Sequence, residues 1–464
     1  MLNQIVLDEQ NEPDHFDLII IGSGSANAIP AHLSDWKIAI VERGTFGGTC
    51  LNVGCIPSKM FVLAADLAEQ ARHSERLGID IRFHGADWQA IRDRVFGRID
   101  PIAESGRQYR ATGSDNITLI EGTARFVSPK VLDIEGKKFT ADQILIGAGS
   151  RPVVPPIPGL VETGFHTSDS IMRLDRLPER LGIIGGGYIA VEMGHVFASF
   201  GSTVSLFNRS HTLLRSQDAE ISQRFTEVFS KRVDVHLEHL PSKIERRGDS
   251  IAIHCVGEVI EVDQLLVATG REPNSDLLDS ELGGLSCHHH GTIVVDEHMR
   301  TIVEGVWAIG DIANEYQLKH VANHEAAVAF WNIAHPDDLK RVDYKAVPAA
   351  VFSDPQIASV GLTEEQAREQ ERDFVVGRRD YGGTAFGWAL ADETSFAKVI
   401  VDTSTGLIIG AHIIGPQAAS LIQPLIQAIQ FGQTAAQLAH EPYWIHPALT
   451  EVVENALLEA LEQL

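Results

Sequence analysis

Cys50 and Cys55 stand five residues apart in GGTCLNVGCIPSK (47–59). Two thiols at that spacing can open and close a disulfide during a reaction, provided the turn between them brings their Cα atoms within about 7 Å. Gly47, Gly48 and Gly54 permit a tight turn and a close approach of backbone to a flat ligand. Pro57 suits the first turn of a helix, which puts Cys55 at or just before a helix N-terminus, where partial positive charge favours the nucleophilic thiolate. A zinc half-site is the rival reading, but no second Cys or Cys/His pair at ligand spacing accompanies these two. Cys255 falls in an alternating, strand-like stretch, and Cys287 precedes His288, His289 and His290, a cluster suited to adventitious metal only. No metal site is expected.

Among 20 histidines, His446 is set apart by its context, YWIHPALTE. Pro447 biases His446 toward an extended backbone and can open the final helix at its first position. Glu451, five residues on, then lies about one turn into that helix. From there its carboxylate can hold one ring nitrogen and raise the basicity of the other, as general acid–base chemistry requires. The bland alternative is a capping histidine with an unrelated glutamate.

Two glycine-rich turns follow apolar runs. FDLIIIGSGS (16–25) leads into Gly22, Gly24 and Ser25, with Asn27 where a third glycine belongs. Glu42 stands 20 residues beyond Gly22, at the end of the next strand, where a carboxylate can accept both hydroxyls of an adenosine ribose. The turn amides and a following helix N-terminus would hold the pyrophosphate. The second turn is Gly185-Gly186-Gly187-Tyr188-Ile189-Ala190, and its next strand ends in Phe207-Asn208-Arg209 without a carboxylate. Arg209 and Arg215, six apart, suit a 2′-phosphate instead, which points to NADPH over NADH. Two different fingerprints imply two dinucleotides, FAD and NADPH.

The elements that must position these groups follow from length and pattern. The chain has 464 residues, 44% hydrophobic, which is too long for one ordinary core. With 38 Lys and Arg against 63 Asp and Glu, its formal charge of −25 opposes nucleic-acid or anionic-membrane binding. No run of 18 apolar residues and no signal-like N-terminus are visible, so no membrane span is expected and a cytoplasmic enzyme is. Four cysteines exclude a disulfide scaffold. Residues 1–14 read as a polar extension. KIAIVERG (37–44), LGIIGGGYIAVEMG (181–194), TVSLFNRS (203–210) and WAIGDI (307–312) contain further strands; SFAKVIVD and GLIIGAHIIG form a hairpin, and a helix with Leu449, Val452, Val453, Ala456, Leu457 and Ala460 closes the chain. The fold class is α/β, with two Rossmann-like dinucleotide-binding domains plus a C-terminal α+β domain.

GGTCLNVGCIPSK, with Glu42 upstream and WAIGD (307–311) downstream, resembles the flavoprotein pyridine-nucleotide disulfide reductases, over nearly the whole chain. The resemblance implies a homodimer that reduces a small-molecule disulfide, its C-terminal α+β domain serving dimerisation. It also implies domain borders at 1–152 (FAD), 153–272 (NADPH), 273–343 (central) and 344–464 (interface). Cys55 would lie against the flavin as a thiolate and Cys50 would attack the substrate. Asp311 resembles the aspartate that binds the flavin ribityl chain, and Lys59 with Glu192 resembles the ion pair near the flavin N5. Lys59 follows the second cysteine at a spacing that family members vary. The FAD site would comprise Gly22, Gly24, Ser25, Glu42, Gly48, Thr49, Lys59, Gly149 and Asp311. The NADPH site would comprise Gly185, Gly187, Tyr188, Ile189, Arg209, Arg215 and Gly270. His446 and Glu451 match the family's His-Pro-x-x-x-Glu dyad, which serves the other subunit.

Within that family, Arg209 opposes an NAD-linked lipoamide enzyme, and the absence of cysteine after Cys287 opposes a mercuric one. IPSK differs from the VPKK usual in glutathione reductases. ANAIPAHLSDW leaves room for only a short first helix, which Pro30 limits further. Loss of the peptide contacts that this helix makes in glutathione reductases favours a larger, sugar-linked disulfide. A redox-sensing flavoprotein without turnover is the non-enzyme alternative; it has no need of Cys50, Cys55, His446 and Glu451 together.

Overall fold

A computed structural model describes residues 12–464. Most of the expected N-terminal extension lies outside the described residues, and the first strand begins at Asp14. Two compact units emerge. The first takes the chain up to Asn52 together with 97–151 and 271–342; the second takes 53–96, 152–270 and 343–464.

In the first unit, Ile117–Glu121, Ile38–Glu42, Asp14–Ile21 and Lys137–Ile146 line up as parallel neighbours in that order. Val306–Ala308 adds in parallel to Lys137–Ile146, while Val131–Ile134 and Ala124–Ser128 extend the sheet antiparallel. The apolar runs are continuous because both faces are covered. Leu18, Ile20, Ile38, Ile40 and Leu145 pack on one side with Phe330 and Trp307. Ile19, Ile21, Val41 and Ile144 pack on the other with Phe126 and Leu132. Both fingerprint residues thus sit at the same edge of a rigid sheet, at the ends of adjacent strands.

The expected first helix is not an α-helix. Between Gly24 and Ile38 the chain makes two single 3-10 turns, Ser25–Asn27 and Ala31–Leu33. Pro30 separates them in extended conformation, ψ 153°, so no helical ladder can run through it. The expectation that an α-helical N-terminus follows the first glycine turn is therefore corrected.

In the second unit a parallel sheet runs Asp234–Leu237, Thr203–Asn208, Arg180–Ile184, Gln264–Val267. A three-stranded antiparallel sheet, Lys243–Arg247, Ser250–Cys255 and Glu258–Val262, covers it. The C-terminal part is a five-stranded antiparallel sheet in the order Pro348–Val351, Ile357–Gly361, Ile408–Ile414, Phe396–Asp402, Phe374–Asp380. The closing helix, Thr450–Leu461, buries Val452, Val453, Ala456, Leu457 and Ala460 against that sheet. It comes so close that a Cβ on Gly377 would lie 1.9 Å from the Ala456 carbonyl oxygen. The helix starts at Thr450, so Pro447 precedes it by three residues and does not open it.

By length and composition alone, Gly48–Arg72 could cross a membrane. Within the second unit the helix Cys55–Arg72 instead buries Phe61, Val62 and Ala65, with Phe61 stacked on Trp88 at 5.2 Å between centroids. Ala escapes the penalty of β-branching in such a helix, and LAADLAEQA supplies many strong helix formers.

Candidate active site

The first glycine turn is built for backbone, not side chains. Gly22 has φ +100°, and a Cβ there would lie 2.4 Å from the Gly147 carbonyl oxygen. Gly48 crosses Gly24 so closely that its Cβ would stand 2.8 Å from the Gly24 Cα, whereas a Cβ on Gly24 or Gly149 would enter open space. Glu42 Oε2 accepts from Ser23 N (2.9 Å) and Ser23 Oγ (2.6 Å), and Oε1 accepts from Gly44 N (2.8 Å). With about four acceptor positions on a carboxylate, one stays open at Oε1. Two ribose hydroxyls, as expected from sequence, would have to share it or displace Ser23 Oγ. Lys319 Nζ donates to Ser25 Oγ (2.9 Å), which in turn donates to Asn323 Oδ1 (3.0 Å), so a cation meets the turn. Thr49 is exposed beside Gly48.

Asp311 lies just beyond the strand Val306–Ala308, in a 3-10 turn. Its Oδ2 accepts from Ser150 Oγ (2.7 Å), which accepts from Arg271 Nε (2.9 Å). The turn is anchored by Glu325, fully buried, whose carboxylate accepts from Gly310 N (2.6 Å) and Asn314 Nδ2. Asn52 is the residue that reading the motif missed. Buried between the cysteines, its Nδ2 donates to Phe46 O and Gly48 O, both at 3.0 Å, and holds the loop before Cys50. The signal was an amide within LNVGC. Room beside Gly24 and Gly149, turn amides, and a carboxylate with an open acceptor fit a dinucleotide with a flat ring system.

Cys50 is half-buried, and Cys55 is exposed. Cys55 is the first residue of its helix, with Gly54 as N-cap and Pro57 in the first turn, as its spacing predicts. One turn on, Lys59 Nζ sits 4.0 Å above the Phe352 ring. Glu192, on the helix Tyr188–Phe200, accepts from Phe352 N through Oε1 at 2.9 Å. Both groups thus contact Phe352, one through its ring and one through its N–H, and Lys59 and Glu192 do not come within ion-pair distance: the direct pair expected from sequence is not formed, though Lys59 still acts on Glu192 electrostatically. Burial pushes the Glu192 carboxyl up to about 7; the Phe352 N–H opposes that shift, the Cys55 charge adds to it, and Lys59 opposes it.

The same two helices are locked further along by groups that sequence reading passed over. His195, fully buried, faces Asp66 Oδ1 through Nε2 at 2.9 Å. Its Nδ1 lies 3.1 Å from Arg232 Nη2. Because guanidinium only donates, Nδ1 must accept, which assigns the ring proton to Nε2. Arg232 also reaches Asp354 Oδ2 at 3.0 Å. A histidine inside an apolar helical run was the available signal.

In the second glycine turn, Gly185 has φ +133° and a Cβ there would lie 2.2 Å from the Ala268 carbonyl oxygen. Cβ atoms on Gly187 and Gly270 would meet open space. Tyr188 and Ile189 begin the helix, with Tyr188 exposed. Here an α-helix N-terminus does follow the turn, as an anion-binding site needs. Arg209 and Arg215 are both exposed, and among the described residues neither has a carboxylate within ion-pair distance. Asn208, beside Arg209 in sequence, is buried.

His446 Nδ1 lies 2.8 Å from Glu451 Oε1, and Glu451 Oε2 accepts from Ala448 N at 3.3 Å. The structure brings this pair together; the imidazole is exposed. Among carboxylates, Asp218, Glu220 and Glu364 cluster tightly enough to suggest a cation, and Lys398 Nζ fills that place at 2.5, 3.3 and 2.7 Å respectively.

A fold with two dinucleotide-type turns, a cysteine-headed helix and an antiparallel C-terminal sheet defines a flavin- and nicotinamide-dependent oxidoreductase acting on disulfides. Residues 16–326 match the family described as pyridine nucleotide-disulphide oxidoreductase, and 347–457 match its dimerisation domain. The chain belongs to the pyridine nucleotide-disulphide oxidoreductases, enzymes whose cofactors are FAD and a nicotinamide dinucleotide. It is 47% identical over 456 residues to a mycothione reductase of Mycobacterium tuberculosis, covering 96% of this chain and 99% of that one. A dihydrolipoyl dehydrogenase of Geobacillus stearothermophilus is 34% identical, covering 96% of each. Among solved structures, the HOCl-induced flavoprotein disulfide reductase RclA from Escherichia coli superposes with a TM-score of 0.84 at 28% identity, covering 96% of this chain and 99% of that one.

Proposed function

We propose that this chain is an NADPH-dependent mycothione reductase: it reduces the disulfide of a bulky, sugar-linked thiol in the cytoplasm, as a homodimer. The observation that carries the substrate is the replacement of the first helix by two 3-10 turns about Pro30. It removes the contacts by which a longer helix would hold a peptide disulfide, and the 47% identity to a mycothione reductase supports the same choice. Two unpaired arginines after the second glycine turn support NADPH and oppose the dihydrolipoyl dehydrogenase reading.

The chain divides, on this reading, into FAD, NADPH, central and interface domains at 1–152, 153–272, 273–343 and 344–464. Gly22, Gly24, Ser25, Glu42, Gly48, Thr49, Lys59, Gly149 and Asp311 hold FAD. Gly185, Gly187, Tyr188, Ile189, Arg209, Arg215 and Gly270 hold NADPH. FAD, when bound, supplies the relay of electrons from the nicotinamide to the Cys50–Cys55 pair. Cys50, as thiolate, attacks the external disulfide; one sulfur–sulfur bond forms as another breaks. His446 of the partner subunit, oriented by its Glu451, gives the leaving thiolate a proton. Cys55, as thiolate, then attacks the Cys50 sulfur of the mixed disulfide, which restores the Cys50–Cys55 bond and releases the second thiolate to take a proton from solvent.

The test is NADPH oxidation with mycothione, glutathione disulfide and lipoamide at matched concentrations. Mycothione is expected to be turned over fastest. Glutathione disulfide at an equal rate would sink the substrate, and faster turnover of NAD with dihydrolipoamide would replace the reading with the lipoamide one.

A further inference from the structure

The loop after the second Rossmann strand is fastened by one side chain. The strand Thr203–Asn208 ends on Asn208, whose side chain is buried. Its Nδ2 donates to the carbonyl oxygens of Ser210 (3.1 Å) and Thr212 (2.8 Å), which curls residues 209–215 back over the strand end. On its other side, Asn208 presses on the glycine turn. A Cβ built on Gly186 would lie 2.5 Å from Asn208 Oδ1 and 2.6 Å from its Cγ. The far end of the loop is tied to that same glycine, since Leu214 N donates to Gly186 O at 2.8 Å. Arg209 and Arg215 flank the fastened segment, one at each end.

An amide suits this position for a reason of donors. Two carbonyls converge on Nδ2, and a carboxylate of the same shape offers neither with a proton. A hydrophobic residue would leave both carbonyls to water and the loop to its own entropy. Two guanidiniums bind one phosphate well only if their spacing is set before the ligand arrives, because ordering a loop on binding subtracts from affinity.

We propose that Asn208 is the positioning residue for recognition of an adenosine 2′-phosphate: by fastening 209–215 to the Gly186 turn, it sets the separation of Arg209 and Arg215. The proposal rests on the NADPH reading above. Asn208 is buried, and its role is exerted through the two arginines.

The experiment measures calorimetric binding of adenosine 2′,5′-bisphosphate and of 5′-AMP to the FAD-loaded dimer, beside KM and kcat with NADPH and NADH. Wild type is expected to favour the bisphosphate. Asn208→Ala should weaken the bisphosphate about tenfold and AMP less than about twofold, raise KM for NADPH, and leave kcat at saturation and KM for NADH unchanged. Asn208→Asp should weaken it further, because a negative charge is added near the site. In an Arg209→Ala background the same Asn208 substitution should cost little more, since the group it positions is gone. Should Asn208→Ala not accumulate as folded flavoprotein, Asn208→Ser carries the test; its single hydroxyl donor can serve only one of the two carbonyls and should give a smaller loss of the same selectivity. Equal weakening of both nucleotides, or none, overturns the positioning role. A wild type that binds both nucleotides alike overturns the NADPH reading itself, and the positioning role with it.

Discussion

His446 and Glu451 meet at 2.8 Å through Nδ1 and Oε1, the carboxylate mostly buried and the imidazole mostly exposed. The buried partner fixes the ring, and the other ring nitrogen is left to the outside. Glu451 is held in turn by the backbone N–H of Ala448.

His446→Gln should lower kcat for disulfide reduction by about 10²–10⁴-fold. Glu451→Gln should lower it less, because the ring keeps its place in the chain and loses only its orienting partner. Reduction of the flavin by NADPH, followed by stopped-flow absorbance, should proceed at the wild-type rate in both. Slowing of that first half-reaction would remove the dyad from the role of proton donor to the leaving thiolate.

The two cysteines should separate spectroscopically. Cys55→Ser is expected to abolish the long-wavelength thiolate–flavin absorbance of the reduced enzyme, and Cys50→Ser to preserve it, because Cys55 is the residue at a helix N-terminus. Anaerobic NADPH titration reads this directly. The opposite pattern would exchange their roles.

Glu192 gives stability a pH dependence of defined sign. Its carboxyl is pushed up to about 7 by burial, against an ordinary value of 4.5. Between these values the unfolded chain ionises while the folded one keeps its proton. Stability from this group is full below pH 4.5 and is lost as pH rises through about 7, by about 3 kcal/mol in total. Glu192→Gln should flatten that fall, as measured by urea midpoints of the FAD-loaded protein at pH 5 and 7.5. An unchanged slope would mean that the carboxyl is ionised in the fold.

Lys398 ties Asp218, at the head of one helix, to Glu364, at the head of another, and is almost wholly buried. Lys398→Met removes the cation and strands the carboxylates, so a loss of about 3–5 kcal/mol is expected in urea unfolding. Adding Asp218→Asn should restore part of it. A double variant no more stable than the single one would show that repulsion among the carboxylates is not the cause.

What was legible in the chain itself was local. Cys50 and Cys55, or His446 and Glu451, are close enough in sequence that one turn decides whether they can cooperate. The apolar runs announced their strands because a sheet covered on both faces demands unbroken hydrophobic residues, as Leu18, Ile19 and Ile20 show. Pro30 already limited the first helix, because no proline ring fits inside a helical ladder. Glu42 was found by counting strand and turn.

Tertiary structure alone decided what depends on residues far apart in sequence. Phe352, 160 residues beyond Glu192, contacts both Glu192 and Lys59, so no spacing rule could tell an ion pair from a separated one. The closing helix begins at Thr450 and not at Pro447, because its register is set by packing Val452, Val453 and Ala456 on the sheet. Asp66, His195 and Arg232 form one network from three elements, and Lys398 finds Asp218 across 180 residues. Buried polar groups must find partners wherever the fold supplies them, and desolvation makes an unmet one costly. Such partnerships are set by packing, and one-dimensional pattern carries no record of them.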